Sequence, residues 1–377
     1  MKKTVLQFIP EHIRSLARYV PGKAIRQAQL ESGVAMIKMA SNENPFGPSP
    51  RALEAMRTTA AEANFYPDNE ASHLRNELAE RHKLAPGQVM VAAGSTALID
   101  ILARTMLGPG LNCVCSEKSF IIYPIAVRVA GGEFITAPMR GDAFDLDAIV
   151  AAINEQTRLV ILSNPNNPTG TMFDADAADA FLRRVPENVL VVMDEAYSDF
   201  AGYFAARRGI TYSRCIDHVR SGFPNLVVLR TFSKAHGLAG IRVGYAFGPE
   251  ELLQHCARVR TAFSVSAMAE AAALAAIRDE AHIRKTVENN AAGAAMLMKG
   301  FQDMGIRAVP TSANFIYFDV EQDPATVARR MQDEGIIIRS LIPWGLPHGL
   351  RVSIGTPEQN EMFLRSLSKV VGQMVTK

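Results

Sequence analysis

The sequence predicts an α/β protein: a large domain with a mostly parallel sheet sandwiched by helices, and a smaller α+β domain. Three observations predict it. Near-continuous apolar runs alternate with helical segments between residues 88 and 248, as parallel strands buried on both faces require. About fifty residues from Glu251 onward carry helical periodicity. Short strand-like runs among helices then continue to the C-terminus. The resulting division is 1–48 for an N-terminal arm and part of the small domain, 49–250 for the large domain, and 251–377 for the small C-terminal domain.

Along the chain, the arm reads as one or two short helices, with "ARYVPGKAI" a turn or extended link around Pro21 and Gly22. "IKMASNENPFGPSP" is a short strand running into a proline-rich loop. "SPRALEAMRTTAAEA" starts a helix, with Ser49 as its cap and Pro50 in its first turn, where a missing N–H breaks no bond. "QVMVAAGS" is a strand and "TALIDILARTML" the helix behind it. "NCVCSE" is a strand, and "TRLVILSNP" is a strand before the helix "DADAADAFLRRV". "NVLVVMDEAY", "NLVVLRTFS" and "IRVGYAFG" complete the large sheet. "ANFIYFDV", "GIIIRSL" and "LRVSIG" are the strands of the smaller lobe.

Composition narrows the function. Hydrophobic residues make up 48% and charged residues 21%, enough for a core without disulfide or metal. A net charge of +2 without long basic runs argues against nucleic acid or an anionic membrane as main partner. Cys113, Cys115, Cys215 and Cys256 form no CxxC pair and have no histidines at zinc-ligand spacing, so no metal is expected. The N-terminus lacks the apolar core of a signal peptide, and "SAMAEAAALAAI" is too short to span a bilayer. A cytoplasmic location is expected.

Candidate functional residues gather where strands end, the usual place for ligands on parallel sheets. Gly94, Ser95 and Thr96 end one strand and open a helix, offering free N–H groups and a positive dipole end to a phosphate. "SNPNNPTG" sets Asn167 in a rigid loop. "VLVVMDEAY" carries Asp194 past a buried strand, followed by Tyr197. No GxxxxGK[ST] loop accompanies it, so a magnesium-nucleotide site is excluded and a carboxylate facing a positive ring nitrogen remains. In "TFSKAHGLAGIRVGY", Lys234 follows Ser233 at the end of a strand, where desolvation makes its amine a better nucleophile. Arg242 suits a phosphate bidentately. A turn with Gly237 and Gly240 folds the chain so that both cations face one pocket. Together these groups describe a ligand with a phosphate, an aldehyde carbon, a basic ring nitrogen and a ring hydroxyl: pyridoxal phosphate. Phe120, in "EKSFIIYP", is placed to stack on its ring.

With these residues assembled, the chain resembles the fold-type I, class I/II aminotransferases over nearly its whole length, through "SNPNNPTG", "DEAY" and "TFSKAHGLAGIRVG" in that order. More narrowly it resembles histidinol-phosphate aminotransferases, through "RYVPGK", "ASNENPFGPSP", "YPDNEASHLRNELA" and "GIIIRSL…LRVSIGTPEQN". The resemblance implies that Lys234 bonds the cofactor aldehyde and then moves a proton between substrate and cofactor. Asp194 would pair with the pyridine nitrogen, and Asn167 and Tyr197 with the ring oxygen. Ser95, Thr96, Ser233 and Arg242 would hold the phosphate, with Thr231 assisting. Tyr66 would reach the cofactor of a partner subunit, making the active unit a homodimer. Arg351 would grip the substrate's acidic group, and Tyr19 and Arg339 would line its phosphate or carboxylate. Two departures stand out: Thr96-Ala97 where relatives carry acidic residues, and Phe120 for a common tyrosine. His236 reads as a loop hydrogen-bonding residue, since Lys234 already supplies the base.

The function implied is transfer of an amino group from L-histidinol phosphate to 2-oxoglutarate. An aromatic amino acid aminotransferase needs the same anion grip and aromatic pocket. A phospho-amino-acid decarboxylase would use the same lysine and ring. A non-catalytic binding protein would keep the fold without turnover.

Overall fold

The computed structural model describes residues 4–16 and 36–375. A short β1 (Ile37–Lys38) precedes the main sheet, which begins with β2 (Val89–Ala92), β3 (Asn112–Ser116) and β4 (Glu133–Ala137). A small hairpin, β5 (Met139–Arg140) and β6 (Ala143–Phe144), follows, before β7 (Thr157–Ser163), β8 (Leu190–Asp194), β9 (Leu226–Thr231) and β10 (Gly244–Phe247). The order across the large sheet is β2-β10-β9-β8-β7-β3-β4. All strands share one direction except β10, which runs antiparallel to both β2 and β9. β3 and β8 are buried at every position, because helices cover both faces of the sheet.

Strand β4 was not legible in the sequence. As an edge strand it is half-exposed and lacks a continuous apolar run. The helix after Ser49 forms as expected: the Ser49 hydroxyl accepts from the Ala52 amide at 3.2 Å, and Pro50 occupies the first turn.

The long helical stretch is three helices, Glu250–Val259, Ala267–Ile277 and Glu280–Asp303. Two side chains make the breaks: Ser266 accepts from the Ala269 amide and Asp279 from the His282 amide, each starting a new helix. The first two helices belong to the large body rather than to the C-terminal lobe where the sequence division put them. Leu253 and Cys256 join the core on one face of the large sheet, and Ala269, Ala272, Ala273 and Ala276 the core on the other. Alanine along that helix permits close approach to the helix Pro50–Thr59.

The smaller core begins with the third helix, whose Leu297 and Phe301 pack with Phe318 and Phe363. Its sheet consists of β11 (Phe315–Asp319), β13 (Arg339–Ser340) and β14 (Gly349–Ser353), in the order β11-β14-β13. β12 (Ile336–Ile337) instead pairs in parallel with β1, which ties the end of the N-terminal arm to this lobe.

Two features of this architecture position the site. Ser163, Asp194 and Thr231 are the last residues of adjacent β7, β8 and β9. On the other side of β9, Gly244 of β10 lies so close to the helix Ser95–Met106 that a Cβ there would sit 2.6 Å from the Ser95 nitrogen. Gly244→Ala is therefore expected to lower stability by about 1–3 kcal/mol through overpacking against backbone. Urea unfolding measures this; an unchanged midpoint would show that the contact relaxes freely.

Candidate active site

A cavity of about 230 Å³ opens at the carboxyl ends of β7, β8 and β9. Ten of the residues singled out by sequence line it: Ser95, Thr96, Phe120, Asn167, Asp194, Tyr197, Thr231, Ser233, Lys234 and Arg242.

One end is a corner built for an anion. Gly94 has φ +89°, and a Cβ on it would lie 2.5 Å from the Arg242 Nη2, so only glycine lets the guanidinium approach this turn. The Arg242 Nη1 donates to the Ser233 hydroxyl at 3.3 Å, and the Thr231 hydroxyl donates to the same oxygen at 3.0 Å. The first amides of the helix Ser95–Met106 lie at the same corner. Of the two glycines between Lys234 and Arg242, only Gly237 is conformationally required. Its φ is +71°, and a Cβ would meet the Gly47 carbonyl oxygen at 2.2 Å. Gly240 lies in open space. Arg242 itself takes the left-handed conformation, φ 61°, a strain held by the surrounding turn.

At the centre, the Lys234 amine is buried and makes a long contact, 3.5 Å, to the Ser41 carbonyl. Burial, reinforced by the charge of Arg351, brings its pKa from 10.5 down to about 8. Asp194 is equally buried, which raises its pKa to about 6 against the stabilising hydrogen bond from Tyr123, 2.7 Å to Oδ2. Its neighbour Glu195 turns away from the cavity and pairs with Arg230 at 2.8 Å. Only one of the two consecutive acids therefore serves the site.

Two further lining residues, Tyr197 and Asn167, are held by a polar chain behind the cavity that includes Asn42 and Arg351. Asn42 donates to the Tyr197 hydroxyl at 2.9 Å, and Asn167 donates to the same oxygen at 3.3 Å. Both of these bonds are accepted, so the phenol keeps its own proton to donate. Burial raises its pKa to about 12 and keeps it neutral. Arg351 Nη1 donates to Asn167 Oδ1 at 2.5 Å, and Nη2 to the Ala40 carbonyl at 3.0 Å. Arg339 is its cross-strand neighbour. The two guanidinium carbons lie 5.3 Å (Arg339) and 5.9 Å (Arg351) from the centre of the Trp344 ring.

Tyr66 is 84% exposed and lies outside this chain's own cavity, its ring 4.9 Å from that of Phe263. One expectation, for His236, falls differently. His236 makes no loop hydrogen bond through Nδ1, which is buried without a partner among the described residues; its ring packs edge-on against Phe232. Tyr19 lies outside the described residues. Sequence reasoning missed Tyr123 and Asn42. Asn42 sits in "ASNEN" with φ 56°, and its amide donates to the Ser353 hydroxyl at 2.8 Å. The only local signal was an asparagine-rich turn, the residue type that tolerates this backbone.

The arrangement fits a planar, phosphorylated aldehyde. It provides an anion corner no side chain obstructs, a desolvated amine, a buried carboxylate for a protonated ring nitrogen and a neutral phenol for a ring oxygen. In the cofactor-free protein, capture of pyridoxal by Lys234 is expected to accelerate as pH rises through about 8 and then level off, since only the neutral amine attacks. Stopped-flow absorbance follows this reaction. A rise only near the ordinary 10.5 would mean that the amine is not desolvated.

The model of the family "Aminotransferase class I and II" matches residues 34–367. The histidinol-phosphate aminotransferase 2 of Pseudomonas aeruginosa is 44% identical over 95% of this chain and 96% of its own. The histidinol-phosphate aminotransferase of Moorella thermoacetica is 42% identical over 96% of this chain and 92% of its own. Among solved structures, a histidinol-phosphate aminotransferase from Sinorhizobium meliloti, in complex with pyridoxal-5'-phosphate, superimposes with a TM-score of 0.87. It is 28% identical, covering 97% of this chain and 98% of that one.

Proposed function

The chain belongs to the class I and II aminotransferases, and from that premise we propose that it transfers the amino group of L-histidinol phosphate to 2-oxoglutarate, giving imidazole acetol phosphate and L-glutamate. Its cofactor is pyridoxal phosphate, which supplies an electron sink for the carbanion that develops at the substrate α-carbon. The observation that carries the reading is the convergence of Lys234, Asp194 and the Gly94–Arg242 corner on one cavity.

Each residue has a distinct task. The Lys234 amine holds the aldehyde carbon. The same amine would be the base that moves a proton at the substrate α-carbon. A pKa near 8 leaves it able to act in both directions near neutrality. The Asp194 carboxylate keeps a proton on the ring nitrogen, and Tyr123 keeps Asp194 oriented through its hydrogen bond. Ser95, Thr96, Ser233 and Arg242 hold the phosphate, and Thr231 fixes the Ser233 hydroxyl. Tyr197 and Asn167 orient the ring oxygen, while Phe120 flanks the ring.

The names of the relatives and the paired arginines support the substrate. Arg351 and Arg339, cross-strand neighbours on β14 and β13, would supply the guanidiniums of the anion grip. A phosphate in one half-reaction and a carboxylate in the other suit the same grip. Phe65, Tyr66 and Phe263 are exposed aromatics on one chain. In our reading they meet a second copy, with Tyr66 completing the partner's site. The homodimer would work in the cytoplasm.

The substrate test mixes holoprotein separately with histidinol phosphate, phenylalanine and phosphothreonine and follows the cofactor absorbance. Conversion by histidinol phosphate alone is expected, with Lys234→Ala lowering turnover about a thousandfold. Conversion by phenylalanine alone would replace the proposed donor, and carbon dioxide from phosphothreonine would mean decarboxylation. Separately, Tyr66→Phe is expected to weaken cofactor affinity about tenfold, the loss of one hydrogen bond to a charged group. A fully active monomer by light scattering would refute the shared site.

A further inference from the structure

Residues 41–44, which follow β1, run along the Lys234 cavity, and their side chains alternate between two roles. Asn42 and Asn44 are buried and anchor the segment. Asn42 donates to the Tyr197 hydroxyl at 2.9 Å, and Asn44 donates to the Ala235 carbonyl at 2.8 Å and the Thr286 hydroxyl at 3.1 Å. Ser41 and Glu43 line the cavity instead. The Glu43 side chain is 41% exposed, so a molecule entering from solvent can reach its carboxylate. Its Oε1 accepts from the Lys38 amine at 2.7 Å, one bond for a group with room for about four.

Two acids line the cavity. Asp194 is assigned above to the cofactor ring nitrogen, which leaves Glu43 without a task. Its charge acts on the reacting amine. Burial and the Arg351 charge lower the Lys234 pKa, and Glu43 is the first charge to oppose them, ahead of Asp194. The Lys234 amine also makes its long contact, 3.5 Å, with the Ser41 carbonyl two residues earlier. One short, anchored segment therefore sets two acceptors, a carbonyl and a carboxylate, around the place of an amine nitrogen. An amino donor must bring its own nitrogen to that place to displace Lys234 from the aldehyde carbon. It arrives from neutral water as an ammonium ion.

We propose that Glu43 binds the ammonium group of the amino donor, accepting a hydrogen bond from it before the donor displaces Lys234, with the Ser41 carbonyl as second acceptor. The inference rests on the amino-transfer reading above and adds a binding residue to it. Lys38 holds one carboxylate oxygen, and the other serves the donor. The oxo acid of the return half-reaction carries no ammonium and gains nothing from Glu43. The residue therefore favours the donor complex alone, which the anion grip, common to both half-reactions, does not.

The test follows single turnovers of wild-type and Glu43→Gln holoenzymes by cofactor absorbance, with L-glutamate on the pyridoxal form and 2-oxoglutarate on the aminated form. These two substrates carry the same two carboxylates and differ only at the α-carbon. Glutamine keeps the size of the side chain and removes its charge. The half-saturating concentration of L-glutamate is expected to rise about fivefold, and that of 2-oxoglutarate to stay within about twofold. An equal rise for both would make Glu43 merely structural and overturn the inference, as would no rise for either. Lys38→Gln breaks the same ion pair but keeps the carboxylate, and is expected to leave L-glutamate within about twofold of wild type. A rise matching that of Glu43→Gln would assign the effect to the broken pair and overturn the inference. A measurement without turnover uses the cofactor-free protein. There the pH midpoint of pyridoxal capture by Lys234 is expected to fall in Glu43→Gln, because a carboxylate that helps the amine keep its proton is gone. An unchanged midpoint would place the carboxylate away from the lysine and overturn the inference. A wild type whose cofactor responds to neither L-glutamate nor histidinol phosphate overturns the function proposed above, and this inference with it.

Discussion

The antiparallel insertion of β10 between β2 and β9 brings the two ends of the active cavity together. Gly244 on that strand touches the first amide of the helix Ser95–Met106, while Thr231 ends the neighbouring strand on its other side. The turn that reverses direction from β9 into β10 must therefore carry Lys234 and Arg242 past the same spot. Its tight geometry follows: Gly237 in a left-handed conformation against Gly47, Arg242 left-handed as well, and Gly94 stripped of a side chain to admit the guanidinium. An all-parallel sheet would need a long crossover between these strands and would separate the lysine from the phosphate corner.

Closure of the cavity does the rest. Lys234, Asp194 and Tyr197 are all buried, and burial moves each pKa toward the neutral form: down for the amine, up for the acid and the phenol. The acid stays usable because Tyr123 and the Ala196 amide donate to it. The phenol stays oriented because Asn42 and Asn167 donate to it from two sides. One desolvated environment thus sets a nucleophile, an anionic partner and a neutral donor within a single cavity.

Motif residues could be read along the sequence because each sits at the end of a buried strand, and buried strands announce themselves as apolar runs. Ser163, Asp194 and Thr231 end β7, β8 and β9, and Lys234 follows Thr231 by three residues. Supporting residues could not be read this way. Tyr123 lies on the helix Ile122–Val129 and reaches Asp194 across 71 positions of chain, and Asn42 reaches Tyr197 across 155. The helices Glu250–Val259 and Ala267–Ile277 show the same limit at the level of domains. Their periodicity was plain, but which core they cover depends on partners far away in sequence.

By itself, then, the sequence determined the α/β class, most of the strands, the cofactor chemistry and ten of the side chains that line the cavity. These follow from local periodicity and from residue types whose chemistry allows few uses. Tertiary structure alone decided the direction of β10, the allotment of helices between two cores, the partner of Asp194, and the exposure of Tyr66 on one chain. Each of these depends on contacts between residues distant along the chain, where burial and hydrogen-bond partners are set by packing rather than by neighbours in sequence.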